Sequence, residues 1–198
     1  MIYMKKKETP QSFHPIYNEH SRILILGTMP SVQSRKDGFY YAHPRNRFWQ
    51  VLSECLSEPL PQSVDEKSQM LLNNRIALWD VLASCEILGA DDSSIRNPVY
   101  NDIAGFISGK FIKYILCNGK KAYSLCDGLK LPLPIYCMPS TSPANAAWSL
   151  ERLTEVWRCG LLNENKYACS SEMYHVERLE NAFSDIDELI LEKQEKLV

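Results

Sequence analysis

The sequence lacks any apolar stretch that could serve as a membrane span or a secretory signal. Its longest uninterrupted aliphatic run, Ile23–Leu26, is far shorter than the roughly 20 residues that a bilayer span requires. The basic start MIYMKKKETP is not followed by the apolar core of a signal peptide. Because the apolar content of 45% is ordinary for a folded domain, we expect a soluble, cytoplasmic protein with no membrane partner.

Paired cysteines and the common cofactor signatures are missing as well. The seven cysteines are an odd number with no C-x-x-C pair, which argues against a zinc knuckle and a disulfide framework. The sequence contains no P-loop, dinucleotide-binding glycine motif or Ser-His-Asp elbow. It therefore predicts free thiols and no metal or organic cofactor. The cysteines are Cys55, Cys85, Cys117, Cys126, Cys137, Cys159 and Cys169.

Excess positive charge is also absent from the whole chain, but not from its parts. The net charge is −2, whereas residues 1–162 carry 18 Lys/Arg against 15 Asp/Glu and residues 163–198 carry 4 against 9. A nucleic-acid partner responds to a local patch, so the total does not exclude one. We interpret 1–162 as one globular domain and 163–198 as an acidic extension that forms an amphipathic helix.

Four short apolar runs predict the strands of a parallel sheet. Each is followed by turn-forming or polar residues, which is typical of strands buried on both faces. The segments between them are compatible with helices, and this alternation predicts a three-layer α/β/α domain with a four-stranded parallel sheet. The predicted strands lie in 22–27, 75–80, 111–117 and 133–137, and the predicted helices in 46–56, 63–72, 98–108, 120–125 and 142–157.

The segment 27–49 interleaves cations with aromatic side chains. Cations neutralise phosphates and aromatic faces accept stacked bases, so the residue types favour nucleic-acid binding. The alternative is an aromatic-rich surface loop that merely packs against the domain. The residues concerned are Arg35, Lys36, Phe39, Tyr40, Tyr41, Arg45, Arg47, Phe48 and Trp49.

Several ordered motifs resemble one known family. They are GTMPS at 27–31, YYAHPRNRFW at 40–49, LWDVLASCEILGADDSSI at 78–95, NGKKAY at 118–123 and MPSTSPANA at 138–146. Together they resemble the hypoxanthine-DNA (DNA-deoxyinosine) glycosylases, a branch of the uracil-DNA glycosylase superfamily. The resemblance implies a DNA-repair enzyme that hydrolyses the bond between deoxyribose and a deaminated base, hypoxanthine first and uracil or xanthine second.

The resemblance also implies which residues carry the chemistry. Asn46 matches the functional asparagine of this branch and would position water, although an asparagine there also caps a helix. His43 could donate to a phosphate or to the leaving base, but a lone histidine is more often structural. Thr28 and Met29 stand where the uracil enzymes carry an acidic or amide side chain. We therefore take Asn46, His43 and Thr28 as the catalytic candidates.

The remaining candidates bind the base or the DNA backbone. Asn118 could read a base edge through its amide or could simply form an Asn-Gly turn. Asp80 could support the pocket floor or act as a base, but we expect it to hydrogen-bond loop backbone. The base-binding candidates are Phe39, Tyr40, Tyr41, Met29 and Asn118. The DNA-binding candidates are Ser140, Thr141, Ser142, Asn145, Arg45 and Arg47.

Two other functions remain open at this point. A DNA-binding module that has lost the chemistry would bind without turnover, and the missing motif-one carboxylate supports it. An enzyme acting on free nucleosides would not need the basic loop. We expect a monomeric, monofunctional glycosylase, because Lys36 is the only lysine in the two motif loops.

Overall fold

Helices and strands alternate along most of the chain. The computed structural model describes residues 7–8, 11–88 and 94–162. The strands are β1 (Lys7–Glu8), β2 (Ile23–Gly27), β3 (Ile76–Asp80), β4 (Leu82–Leu88), β5 (Arg96–Tyr100), β6 (Tyr114–Asn118) and β7 (Ile135–Met138). The helices are α1 (Val32–Asp37), α2 (Phe48–Leu56), α3 (Val64–Asn73), α4 (Ile103–Ile107), α5 (Lys120–Asp127) and α6 (Leu150–Leu162).

The centre of the fold is a parallel sheet of four strands in the order β3-β2-β6-β7. These are the four strands that the apolar runs predict, each found within one or two residues of the predicted end. β2, the first of these four strands along the chain, lies inside the sheet, and the connections run out to both sides. The four-stranded parallel sheet is therefore confirmed.

Both faces of this sheet are covered, which explains why its strands are apolar at nearly every position before their carboxyl ends. In β2, Ile23 and Ile25 face one core cluster, whereas Leu24 and Leu26 face the other. This division follows from the period of two in a strand. The first cluster includes residues of α2, α3 and α6, and the second includes residues of α4 and α5. The arrangement is the predicted three-layer α/β/α sandwich.

A second, antiparallel sheet of order β1-β4-β5 was not predicted. The predicted helix at 98–108 was wrong, because its first residues form β5 and only Ile103–Ile107 is helical. Asn97 has a φ of 48°, outside the helical region, and Asp102 starts α4 by accepting a hydrogen bond from the Gly105 N–H at 2.9 Å.

Two other predicted helices begin later than expected. The helix predicted over 46–56 starts at Phe48, and the helix predicted over 142–157 starts at Leu150 and ends at Leu162. In the second case Asn145 is held in a loop, where its Nδ2 donates to the Ser140 carbonyl at 2.8 Å. The apolar spacing at 150, 153 and 157 predicted the correct helix face. It did not predict that the Asn145 side chain is bonded within a loop before the helix begins.

The acidic helix predicted for 163–198 lies outside the described residues. In the described ranges, no helix is long and apolar enough to cross a membrane. The same ranges contain no group of three or more His, Cys, Asp or Glu residues that could hold a metal ion. None of the six cysteines in the described ranges forms a disulfide bond.

Candidate active site

Polar residues gather at the carboxyl edge of the parallel sheet. Gly27 at the end of β2 pairs with Asp80 at the end of β3, and Asn118 at the end of β6 pairs with Met138 at the end of β7. Because parallel strands end on the same side, the loops that follow them converge there. The sequence placed its candidates after these strands, and the structure brings most of them together.

A cavity of about 470 Å³ opens at this edge. This volume is within the range of small-molecule pockets, roughly 300–1,000 Å³. Its lining includes the predicted site residues Thr28, Met29, Tyr40, Tyr41, His43, Asn46, Asn118, Ser140, Thr141 and Ser142, together with Asp80. Phe39, Arg45, Arg47 and Asn145, which the sequence also proposed, do not line it.

Thr141 links the candidates into one hydrogen-bonded network. Its side chain is fully buried, and its hydroxyl donates to Asn46 Oδ1 at 3.0 Å. Asn118 forms two hydrogen bonds with Thr141: its Oδ1 accepts from the Thr141 N–H at 3.0 Å, and its Nδ2 donates to the hydroxyl at 2.9 Å. The network joins the loop before α2, the end of β6 and the loop after β7.

Asn46 holds the start of α2, which is one of the two roles considered for it. Its Oδ1 accepts from the backbone N–H of Phe48, the first residue of α2, at 3.0 Å, as well as from Thr141. A carbonyl oxygen has two lone pairs, so these two donors occupy it. No described residue is hydrogen-bonded to Nδ2, which leaves this donor to face the cavity that Asn46 lines.

His43 is held in a tight turn before α2. Its Nδ1 accepts from the Arg45 N–H at 3.1 Å, and its carbonyl accepts from the Asn46 N–H at 2.8 Å. In the neutral ring the other nitrogen, Nε2, then carries the proton. This turn also leaves the Arg45 side chain exposed at the surface, beside the mouth of the cavity.

The guanidinium of Arg47 is directed into the protein. It donates to the carbonyls of Ser142 at 2.9 Å and Asn145 at 3.0 Å, and also to that of Trp148. The Arg47 N–H donates to the Thr141 carbonyl at 3.1 Å. Four carbonyls of the loop after β7 therefore depend on this one residue, which positions the loop instead of presenting its charge to a phosphate.

The loop after β7 approaches the end of β6 closely at Gly119. This glycine has a φ of 100°, and a Cβ there would lie 3.0 Å from the Cβ of Ser140. The Gly119 N–H donates to the Met138 carbonyl at 2.9 Å. Within the loop, Ser140 Oγ accepts from the Ser142 N–H and Ser142 Oγ accepts from the Ala144 N–H, both at 3.3 Å. The serines thus shape the loop as well as lining the cavity.

The three aromatic candidates are placed differently from one another. Phe39 stacks on Trp49 with ring centroids 6.0 Å apart and lies outside the cavity. Tyr40 is buried, and its hydroxyl donates to the His14 carbonyl at 3.0 Å. Tyr41 stacks on Phe48 at 3.9 Å, so one of its ring faces is covered. Its hydroxyl is buried near the Asn118 amide but makes no well-formed hydrogen bond.

Asp80 lies on the cavity wall with only 3% of its surface exposed. Burial raises the pKa of its carboxyl to about 7, although a hydrogen bond from the Ser12 side chain opposes the shift. Its Oδ2 is buried and has no hydrogen-bond partner among the described residues. The expectation that this carboxylate bonds loop backbone is not met, since its side-chain partner is Ser12.

From its sequence position, Asp80 was expected only to hydrogen-bond loop backbone, and its proximity to Tyr41 was not predicted. One feature could have identified it: a lone carboxylate that ends an apolar strand cannot avoid burial when the next residues, Val81 and Leu82, are also apolar. Buried carboxyl groups with raised pKa values are concentrated at functional sites.

Over most of its length the chain is similar to known proteins of one family. A model of the family described as the uracil DNA glycosylase superfamily matches residues 14–159, which include every candidate site residue. A hypoxanthine DNA glycosylase of Methanosarcina acetivorans is 33% identical over 150 residues, covering 73% of this chain and 94% of the relative. A protein of the same name from Methanosarcina barkeri is 35% identical over 115 residues, covering 57% of this chain and 72% of the relative.

A solved structure is similar over most of the chain. It is the solution NMR structure of a Methanosarcina acetivorans protein described as a candidate uracil DNA glycosylase. Its TM-score is 0.68 at 31% sequence identity, and the match covers 78% of this chain and 97% of that one.

Proposed function

The chain belongs to the uracil DNA glycosylase superfamily and is a DNA glycosylase, and from this premise we propose that it removes hypoxanthine from DNA, with uracil and xanthine as secondary substrates. The two curated relatives, both named for hypoxanthine, support that choice of base. The observation that carries the proposal is the Asn46–Thr141–Asn118 network at the cavity wall. It places amide and hydroxyl groups, which suit a neutral base and a water molecule, in one enclosed space.

The reaction is the hydrolysis of one N-glycosidic bond. A water oxygen bonds to C1′ of the deoxyribose and loses a proton to solvent, while the bond from C1′ to the base nitrogen breaks and its electron pair leaves with the base. The target nucleotide must first be rotated out of the stack into a pocket. Asn46 Nδ2 donates to the attacking water, and its contacts with Phe48 and Thr141 hold this donor in place.

The same edge of the sheet contacts the DNA backbone. The loop 139–149 offers the hydroxyls of Ser140 and Ser142, while Arg45 is exposed on the adjoining loop. Phosphate contacts of this kind set register and orientation without reading sequence. Arg47 contributes indirectly by fixing the loop.

The test is an excision assay with matched variants of Asn46. Labelled duplexes with one hypoxanthine, uracil or xanthine are incubated with the protein and then treated with alkali to reveal abasic sites. We expect cleavage at hypoxanthine, and a fall of about 10²-fold or more in the excision rate of Asn46→Asp, because a misplaced reactant commonly costs this much. This variant keeps the Oδ1 that α2 requires and replaces the Nδ2 donor with a charged carboxylate oxygen. Asn73→Ala, at the exposed end of α3, is the control.

The possible outcomes separate the alternatives. Cleavage at hypoxanthine that is lost in Asn46→Asp and kept in Asn73→Ala supports the activity and the role of Asn46. Tight DNA binding without cleavage at any base would leave a binding module. Equal cleavage by the wild type and Asn46→Asp would move the water-positioning role to another residue.

A further inference from the structure

Two buried polar groups on the cavity wall have no hydrogen-bond partner among the described residues. They are the Asp80 Oδ2 and the Tyr41 hydroxyl, and in that part of the chain no other buried side-chain oxygen or nitrogen is in this position. A buried polar group without a hydrogen-bond partner destabilises the folded state. A fold that keeps two of them at one cavity is expected to pair them with a ligand.

Gly27 brings these two groups to the same place. A Cβ at this position would lie 2.4 Å from Asp80 Oδ1 and 2.9 Å from the Tyr41 hydroxyl. Both side chains therefore close over the same point at the end of β2, where only a hydrogen atom fits. The carboxyl belongs to the end of β3 and the phenol to the loop before α2, and both residues line the cavity.

The two amides of the cavity are partly committed to the protein. Asn118 uses its Oδ1 and one Nδ2 hydrogen on Thr141, and Asn46 Oδ1 has two donors. Asn46 Oδ1 is therefore closed to a base, whereas Asn118 Oδ1 keeps one lone pair. Among the buried side-chain oxygens and nitrogens of the described residues, Asp80 Oδ2 and the Tyr41 hydroxyl are the two without any partner, so they are further candidates to hydrogen-bond the edge of a base.

We propose that the carboxylic acid of Asp80 and the phenol of Tyr41 both donate hydrogen bonds to the ring carbonyl of the excised base. This inference rests on the proposed function and extends it to a class of substrate, bases that carry a lactam carbonyl. Deamination replaces an exocyclic amino group with such a carbonyl. A carbonyl oxygen accepts two hydrogen bonds, whereas an amino group in its place would direct its own hydrogens at the two donors.

The electrostatic surroundings favour the protonated acid. Burial raises the pKa of Asp80 to about 7, and the ionisable groups that interact with it directly are Tyr40 and Tyr41, whose own pKa values are raised mainly by burial. Cys117 on β6 adjoins Tyr41, while His43 and Arg35 line the same cavity. When a base enters and excludes water, the neutral form of the carboxyl gains further, since desolvation penalises charge.

The two donors also assist the departure of the base. The electron pair of the broken bond spreads through the conjugated ring onto the carbonyl oxygen, so negative charge grows where the donors point. Hydrogen bonds aimed at developing charge in an enclosed site are worth about 10²–10³-fold in rate for a single donor. Buried carboxylic acids that remain neutral serve this purpose in other enzymes.

The pH dependence follows from the sign of the pKa shift. Below pH 7 the Asp80 carboxyl keeps its proton and donates, and above pH 7 it loses this donor. We expect the single-turnover excision rate of hypoxanthine to fall as the pH rises through about 7. Asp80→Asn retains an N–H donor that does not titrate, so this fall is expected to disappear while activity stays within about tenfold of the wild type.

The experiment compares Asp80→Asn with four further variants on duplexes that contain hypoxanthine. Asp80→Ala and Tyr41→Phe each remove one donor and are expected to slow excision by about 10²-fold. Asp127→Asn and Tyr17→Phe, on exposed residues away from the cavity, are the matched controls and are expected to behave like the wild type. A binding assay in the Asn46→Asp background measures the preference for a hypoxanthine duplex over an adenine duplex, which the donor-removing variants should reduce.

The outcomes distinguish this inference from the function on which it rests. If the wild-type protein cleaves none of the duplexes that contain hypoxanthine, uracil or xanthine, the proposed function is overturned. Wild-type cleavage with unchanged rates, pH profile and binding preference in Asp80→Ala, Asp80→Asn and Tyr41→Phe overturns the donor pair and leaves the glycosylase intact. Since Asp80→Ala can disturb folding, circular dichroism of each variant accompanies the rates, and Asp80→Asn keeps the side-chain volume.

Discussion

Arg45 and Arg47 are two residues apart in the chain and have different surroundings. The Arg45 side chain is exposed, whereas the Arg47 guanidinium donates to three carbonyls of the loop that follows β7. Such a fork of donors is specific to arginine, because a lysine ammonium offers no planar arrangement. The conformation of the loop that lines the cavity therefore depends in part on this one side chain.

Arg47→Lys tests this role while preserving the charge. Loss of hydrogen bonds from a charged donor to carbonyls is expected to lower the free energy of unfolding by about 1.5–3 kcal/mol. Excision should slow as well, since Ser142 and Thr141 would lose their support. Urea unfolding and the excision assay provide the two measurements. Arg45→Lys serves as the control, with a change in stability within about 0.5 kcal/mol, and equal stability of the two variants would contradict the positioning role.

At the scale of the element, α3 shows how a helix start can be read directly from sequence. Ser63 Oγ accepts from the Glu66 N–H at 3.1 Å, and the Glu66 carboxylate accepts from the Ser63 N–H at 3.1 Å. This capping box also lowers the pKa of Glu66, because backbone N–H groups of Gln62 and Ser63 stabilise its charge. The predicted start at Ser63 and the observed N-cap agree.

Ser63→Ala is expected to destabilise the protein by about 1 kcal/mol, the usual cost of removing such a cap. Because the pKa of Glu66 is lowered in the folded state, the contribution of the carboxylate is present above its unfolded pKa and is lost as the pH falls through the folded value. Urea unfolding near neutral pH and in acid gives both effects. Ser124→Ala, exposed within α5, is the control. No difference between the two variants would show that the box contributes nothing measurable.

Elements differed in how much of their structure the sequence revealed. The four parallel strands were predictable because burial on both faces makes them continuously apolar, as in β2. The antiparallel strand β5 was not, because all five of its residues are exposed and it contains Pro98. The late start of α6 depends on hydrogen bonds to the loop before it. Those from Arg47 join residues far apart in the chain, whereas the one from Asn145 lies within the loop itself.

The same distinction applies to the site. Asn46, Asn118 and Thr141 were found because family motifs mark them, and the structure brings them within hydrogen-bond distance. The inward direction of Arg47 and the unpaired state of Asp80 Oδ2 follow from packing around single atoms. Residue type and spacing alone do not predict that packing.

At the scale of the whole molecule, a DNA enzyme with a net charge of −2 must bind its substrate through a local field. We expect the affinity for duplex DNA to fall as salt rises, because each neutralised phosphate releases counterions. Fluorescence anisotropy over a series of salt concentrations measures this slope. Arg45→Ala should reduce the slope by about 1 if it contacts a phosphate, and Arg47→Ala should leave it unchanged. An affinity that does not change with salt concentration would contradict electrostatic binding.

The hydroxyl of Thr141 has a consequence for how this protein can change over evolution. It connects positions 95 and 23 residues away, Asn46 and Asn118, through hydrogen bonds that each use specific atoms. A substitution at any of the three alters what the other two positions can tolerate, so their effects on fitness cannot be additive. These positions are therefore expected to diverge together across lineages.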